Sequence, residues 1–442
     1  MAASFGQTLQ NIWKIEDLRA RILITISFIA IYRLGTFVVL PGVNPEALEA
    51  MQAMASTGIL NILDMFSGGA FANASIFALG IMPYISASIV MQLLGFAVPS
   101  LQKMQREGES GRMKMNQYTR YLTVAILLVQ GPAYILGALG AAAPGGWWDF
   151  IIPSTIILAG GSMFVLWLGE RITDKGVGNG ISFIILIGII SRFPHAVGAE
   201  FDRLAHAPGG FILLLLSFLA LIAVIAFGIM MVQGNRKVPV QYAKRVVGNK
   251  QYGGVRQYIP LKVNAANVMP IIFAQAIMFI PITLAGFATR EGGGFWAALM
   301  NPNSFWYNLI FVTLIITFTY FYTAITINPT QMAEDLKRNN GFIPGVKPGK
   351  KTAEYIDTIM SRLVLPGSCA LALIAILPVF ASLLNVNAQF AQFFGGTSLL
   401  ILVGVVLDTL QQVESHLLMR HYPGFLKSGA KIKGRTGSIA AY

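Results

Sequence analysis

Four histidines, one cysteine and nineteen carboxylates are the groups that could carry catalysis in this 442-residue chain, and their placement speaks against it. A hydrolase working inside a membrane needs a nucleophile and a base, or paired carboxylates, at membrane depth, because buried ionisable groups are costly and are kept where they do chemistry. His195, His206, His416 and His421 all lie between apolar runs or in the C-terminal tail. Cys369, the one cysteine, excludes an intrachain disulfide and is expected to be a small buried hydrophobe. Only Arg33 and Asp408 place a formal charge inside a run, on different runs and with opposite sign. Arg33 reads as snorkelling or as bonded to backbone carbonyls, and Asp408 as an interfacial residue. The segment Gly345-Val-Lys-Pro-Gly-Lys-Lys-Thr352 invites reading as a phosphate loop but has Pro344 where the first Gly belongs, and Lys351 where Ser or Thr would ligate magnesium. No residue set calls for a cofactor or a metal, and the chain is read as no enzyme.

The elements carrying these groups are ten apolar runs, at residues 22–40, 74–98, 121–143, 151–169, 180–191, 211–232, 264–288, 305–327, 363–384 and 394–412. A helix rising ~1.5 Å per residue needs roughly 20 residues to cross a hydrocarbon core of ~30 Å, and nine runs are long enough. The run 180–191 is short and must borrow from its flanks or be shielded by other helices. A composition of 55% hydrophobic and 12% charged residues, with mean hydropathy +0.64, fits this class, since a soluble domain carries ~25% charged residues. Without a small-residue cleavage site, the first run reads as a retained span. Leu9, Ile12, Trp13 and Ile15, with Lys14, Arg19 and Arg21, read as an amphipathic helix at the inner surface before it.

Charge orients the bundle. Twenty-eight of the thirty-two Lys and Arg residues fall in every second gap, against twelve acidic residues on that side, while the other gaps hold three basic and seven acidic residues. Cationic loops resist translocation, so both termini are expected to be cytoplasmic.

Three places depart from a plain bundle. The gap before the second run contains Ile59, Leu60, Ile62, Leu63, Met65 and Phe66 at near-helical spacing, followed by Ser67-Gly68-Gly69, which predicts a helix too short to span that stops at a hinge. It is either a surface or re-entrant segment that seals the bundle, or a movable stopper. Polar groups and breakers, not charges, interrupt several runs: Pro83, Ser86, Ser88 and Gln92; Gln130; Asn264, Asn267, Pro270, Gln275 and Pro281. Amides in lipid need partners, so these runs are expected to meet through hydrogen bonds of ~0.6 kcal/mol each. Two inner gaps look ordered: arms at 238–247 and 255–263 around Gly248-Asn249 predict a basic hairpin, and a helix from Asn328-Pro329 to Asn339 is followed by a turn and a restart with Thr352 as N-cap. Both look like a platform for an anionic partner, protein or RNA, with anionic lipid headgroups as the alternative.

Several ordered motifs carry a resemblance: Asn61-Ile-Leu-Asp-Met-Phe-Ser-Gly-Gly69, Ile76-Phe-Ala-Leu-Gly-Ile-Met-Pro-Tyr-Ile-Ser-Ala-Ser88, Glu107-Gly-Glu-Ser-Gly111 with Gln117-Tyr-Thr-Arg120, Gly176-Val-Gly-Asn-Gly-Ile-Ser182, Gly341-Phe-Ile-Pro-Gly345 and Gly395-Gly-Thr-Ser-Leu-Leu400. Nearly end to end, the chain resembles the SecY family, central subunits of the bacterial protein-conducting channel. The resemblance implies an all-α integral membrane protein of ten transmembrane helices in two pseudo-symmetric five-helix halves around a central pore, with a re-entrant plug helix and a basic cytoplasmic hairpin. The halves would be residues 1–195, with the plug at about 58–69, and 209–420, with cytoplasmic loops 233–262 and 328–362; an outer hinge loop, 196–208, would join them and a basic tail, 421–442, would follow.

Carried over by motif, the pore ring falls on Ile81, Ile85, Ile185, Ile189, Ile272 and Ile401, and the plug on Ile59, Leu60, Ile62, Leu63, Met65, Phe66, Ser67, Gly68 and Gly69. The lateral gate falls on Ser88, Gln92, Gln130, Asn267 and Gln275, and the surface for SecA or the ribosome on Lys244, Arg245, Lys250, Arg256, Lys337, Arg338, Lys347, Lys350 and Lys351. The hairpin tip carries Asn249-Lys250 and the next loop Lys347 where the family commonly has arginines; lysine keeps the charge but loses the planar fork. The implied function is passage of unfolded secretory polypeptide across the bacterial inner membrane and sideways release of apolar segments. Implied partners are SecE, SecG, SecA, the translating ribosome, a preprotein with its signal sequence, anionic lipids, YidC and SecDF. The alternative from the residues themselves is an ion-coupled transporter of a small solute.

Overall fold

A computed structural model describes residues 15–44, 48, 58–139, 146–205, 210–242, 245–247, 250–252, 256–287, 301–384 and 386–420; of 58–60, 62, 106, 138, 245–247, 250–252, 256, 279–287 and 416–420 it describes the backbone alone. The amphipathic segment expected before residue 15, the hairpin tip Gly248-Asn249 and the tail 421–442 lie outside the described residues. The first half is built from α1 (Glu16–Gly35), the short α2 (Gly58–Ser67), α3 (Met82–Ala97), α4 (Pro99–Arg106), α5 (Glu109–Tyr134), α6 (Ile152–Lys175) and α7 (Gly180–Ala205). In the second half α8 (Gly210–Gln233) leads to strands β1 (Asn235–Tyr242), β2 (Arg245–Val247), β3 (Lys250–Tyr252) and β4 (Arg256–Lys262). There follow α9 (Met269–Phe287), α10 (Phe305–Thr326), α11 (Pro329–Arg338), β5 (Gly341–Phe342), α12 (Lys350–Leu383), α13 (Ala388–Ala391) and α14 (Gly396–Arg420).

Among the described residues, seven helices are long and apolar enough to cross a membrane, and α3 with α4 makes an eighth candidate bent by 105°. The bend has a local cause: Val98 precedes Pro99 and is driven into extended backbone (φ −106°, ψ 115°), which ends one helix and starts the next. α1 carries too many charges at its start to pass by composition, and α9 is apolar but short over its fully described part. The two halves touch along two seams. At one, α7 meets α8, α13 and α14; at the other, α9 meets α3 and α5.

The short fifth run does borrow from its flank. α7 continues through Pro194 to Ala205, so residues 196–205 are helix and not the start of a hinge loop. Ala196, Glu200 and Leu204, spaced by one turn each, are buried on a single face, which outweighs the hydrogen bond lost at the proline. Glu200 anchors that face: it accepts from Arg203 at 2.6 Å and, across the seam, from the Asn387 backbone N–H at 2.9 Å. Cys369 is exposed on the outward side of α12, not buried, because only its apolar run and not its helical face was legible.

At the end of the bundle where α8 leaves it, β1 pairs antiparallel with β4, and β5 adds a third strand beside β1 through Gln241 with Phe342 and Tyr242 with Gly341. Asn328 caps α11 by accepting from the Thr330 and Gln331 amides, with Pro329 in the first turn as expected. The restart differs from expectation. α12 begins at Lys350 after Gly349 (φ +98°), a conformation suited to glycine, and Thr352 lies inside the helix with its hydroxyl donating to the Lys347 carbonyl. Residues 350–362 are therefore helix projecting beyond the apolar run, not loop. Val238, Val240, Leu261, Leu336, Ile343, Ile356 and Met360 bury against one another, so sheet, α11 and the base of α12 form one platform with its own core.

Candidate functional site

The six isoleucines come from four elements. Ile81 immediately precedes α3 and Ile85 lies one turn on; Ile185 and Ile189 are one turn apart on α7; Ile272 is in the first turn of α9 and Ile401 near the start of α14. All six belong to a single apolar cluster that also contains Met65 and Phe66 of α2. Ile81, Ile185, Ile189 and Ile401 are buried, while Ile85 and Ile272 are half-buried. Between Ile85, Ile185, Ile272 and Phe66 the remaining space is about 10 Å³, the room of about one water. Close approach of α2 to α7 depends on Gly188: a Cβ there would sit 2.8 Å from the Phe66 carbonyl oxygen and 3.2 Å from the Gly68 nitrogen.

The other side of α2 is held by polar groups. A helix C-terminus leaves carbonyls without intrahelical partners, and its dipole favours a cation there. Tyr32 donates to the Ser67 carbonyl at 3.0 Å, and Arg33 donates to the Gly68 carbonyl at 2.7 Å and to the Ser191 hydroxyl at 3.2 Å. Of the two readings of Arg33, backbone bonding is the one realised. Asp64 is buried, accepts from the Ala72 amide at 2.8 Å and pairs with Arg192 of α7. The chain reverses after α2 through Gly68 and Gly69, both at positive φ, and the Gly69 amide returns to the Asp64 carbonyl at 2.9 Å. Ile59, Leu60 and Ile62 lie on the backbone of α2 with side chains outside the described part, and Leu63 is half-buried.

The seam between α3 and α9 is apolar, contrary to the expectation of amide contacts. Ile89, Phe273 and Ala276 bury together with Phe318 and Tyr322 of α10, and Phe273 meets both rings edge-on at 5.9 Å. Gln92 donates to Ser88 one turn back in its own helix, at 3.3 Å. The side-chain carbonyls of Asn267 and Gln275 are buried without a hydrogen-bond partner among the described residues, and Gln130 is half-buried on α5. Side-chain shape explains the difference: an aromatic ring fills a seam that a glutamine reaches only by stranding one end of its amide. Gln275 borders both the small space beside Phe66 and a cavity of about 150 Å³ with Asn61 and Asn308.

On the platform Lys337, Arg338, Lys347 and Lys350 are exposed, and Lys351 pairs with Glu354 of its own helix at 3.2 Å. Arg245, Lys250 and Arg256 lie on the backbone of β2, β3 and β4 with side chains outside the described part, and Lys244 lies outside the described residues. No group of three or more metal-ligating side chains occurs among the described residues.

Residues 75–410, more than half of the chain, match the SecY family. The protein translocase subunit SecY of Aquifex aeolicus strain VF5 is 41% identical over 431 residues, which cover 96% of this chain and 100% of that one. The chain belongs to the SecY family. A solved structure described as "The structure of a protein conducting channel" shares the fold with a TM-score of 0.61 at 17% identity, over 97% of this chain and 100% of that one. Sec61 in the canine ribosome-channel complex from the endoplasmic reticulum does so with a TM-score of 0.57 at 16% identity, over 97% and 100%.

Within this SecY-family chain, motif reading missed Tyr32, Ser191 and Arg192, which hold α2, and the pairing of Asp64 on α2 itself with Arg192. A signal existed. Asp64 is the one charge on the short helix, and Arg192 is one of just three basic residues in the acidic gaps.

Proposed function

We propose that this chain forms the pore through which unfolded secretory polypeptide crosses the bacterial inner membrane and from which apolar segments leave sideways into lipid. The observation that carries the reading is that the six isoleucines share one apolar cluster with Met65 and Phe66, and that Phe66 lies beside Ile85, Ile185 and Ile272. A hydrophobic constriction gates by excluding water: it stops ions without recognising any one sequence, and a threading chain displaces the seal. In this reading the isoleucines are the pore ring, α2 with Gly68 and Gly69 is the plug, and the halves 1–195 and 209–420 enclose the pore. The seam of α3 and α5 against α9 and α10 is the lateral gate. A signal sequence opens it by apolar burial at ~25 cal/mol per Å², replacing contacts that are themselves apolar.

The platform faces the cytoplasm with both termini, a reading supported by the distribution of basic residues. Its exposed lysines and arginines dock SecA or a translating ribosome, with SecE and SecG as membrane partners and YidC, SecDF and anionic lipids as neighbours; the canine Sec61 of the same fold sits in a ribosome-channel complex. Arg33 and Arg192 are engaged with α2 and the turn after it, and no observation favours the small-solute transporter. Reconstitution into vesicles with SecE, SecG and SecA, followed by ATP and a signal-bearing precursor, is expected to yield protease-protected precursor. A complete lack of protected precursor would overturn the reading.

A further inference from the structure

A cavity of about 420 Å³ opens beside α2 on the side away from the platform. Its charged and titratable lining is unbalanced: Arg33 from α1 and Arg192 and His195 from α7 face a single carboxylate, that of Asp64. At rest α2 satisfies both guanidinium groups, Asp64 pairing with Arg192 and the Gly68 carbonyl accepting from Arg33. Even so, Arg192 retains a buried Nε with no acceptor among the described residues.

If α2 is the plug, it must leave before a chain can pass, and it carries the carboxylate and the carbonyl away with it. Arg33 and Arg192 stay behind on α1 and α7. A partly buried cation stripped of its partner is strongly unfavourable, and the guanidinium fork matches a carboxylate in geometry as well as charge. We propose, on the basis of the channel reading, that this cavity is a carboxylate subsite for the translocating chain. Aspartate and glutamate side chains of the passing segment take the place of Asp64 on Arg192 and so hold the plug out. Acidic stretches thereby prolong the open state, and a stretch of the same shape without charge leaves the cations to recapture Asp64.

The test uses two precursors that differ in one mature-region stretch, glutamate in one and glutamine in the other. Each is driven by SecA and ATP into vesicles that contain the full chain with SecE and SecG, and ionophores collapse the membrane potential. The glutamate precursor is expected to cross roughly threefold faster, the scale of a partly exposed ion pair. In D64N/R192Q, which removes both charges so that neither is stranded, the ratio is expected to fall to about one. Because the ratio is taken within each protein, a change in overall rate cancels. A wild-type ratio of one, or an equal ratio in D64N/R192Q, would overturn the subsite. Should the double variant pass neither precursor, Arg192→Lys is expected to lower the ratio, and an unchanged ratio there is equally decisive against it. Wild-type vesicles passing neither precursor contradict the channel reading itself.

Discussion

α2 meets the rest of the molecule through two unlike surfaces. Met65 and Phe66 belong to the apolar cluster of the isoleucines, and the space beside Phe66 is lined mostly by apolar side chains with Ser86 and Gln275 among them, whereas Asp64, Ser67 and Gly68 are gripped one by one by Arg192, Tyr32 and Arg33. Apolar packing is non-directional and excludes water over its whole area; charged hydrogen bonds are directional and fix a position. On the proposed channel reading, the first surface seals and the second locates. A mostly apolar seal has no preference among peptides, which suits a pore that passes many sequences.

If that division holds, substitutions on the two surfaces produce different failures. The largest effect is expected from Ile81→Asn, Ile189→Asn or Ile401→Asn. A buried amide without a partner carries ~1–3 kcal/mol that entering water relieves, so resting ion flux through vesicles should rise on the order of tenfold. An unaltered flux across the series would detach sealing from the isoleucines. Next in size is Arg192→Gln, which strands Asp64 and should speed amide exchange over residues 64–72 by roughly fivefold, with recovery when Asp64→Asn is added. Slowed or unchanged exchange would mean that the ion pair does not locate α2. The smallest effect is expected on the platform, where Lys337→Glu with Lys347→Glu should weaken ribosome or SecA binding by roughly threefold at low salt. Ion flux in that variant should match wild type, and a rise would break the separation between platform and seal.

Much of this was legible in the chain. The runs marked the helices, Asn328-Pro329 marked a capped start, and two extended arms around Gly248-Asn249 marked β1 with β4, because each depends on residues close in sequence. What escaped depends on partners far apart. Asp64 and Arg192 are 128 positions apart and Glu200 and Asn387 are 187, and neither pair leaves a local pattern. The two-residue β5 is too short for any periodicity and exists because Gly341 and Phe342 fall beside the edge of β1. The lateral seam was misread for a related reason. Glutamines on facing runs look complementary, but which groups meet is decided by helix rotation, and rotation brought Phe273 to Ile89 and left the Gln275 carbonyl without a bond among the described residues.

The proposed closure of the isoleucine waist by Phe66 can be tested directly. With a photoreactive phenylalanine analogue at position 66, irradiation of the resting channel in vesicles should yield crosslinks that mass spectrometry maps to peptides containing Ile85, Ile185 or Ile272. Those crosslinks should disappear when a precursor is stalled in the pore. Labelling of lipid at rest, or the same peptides labelled with the stalled chain in place, would contradict a ring that α2 seals and a threading polypeptide opens.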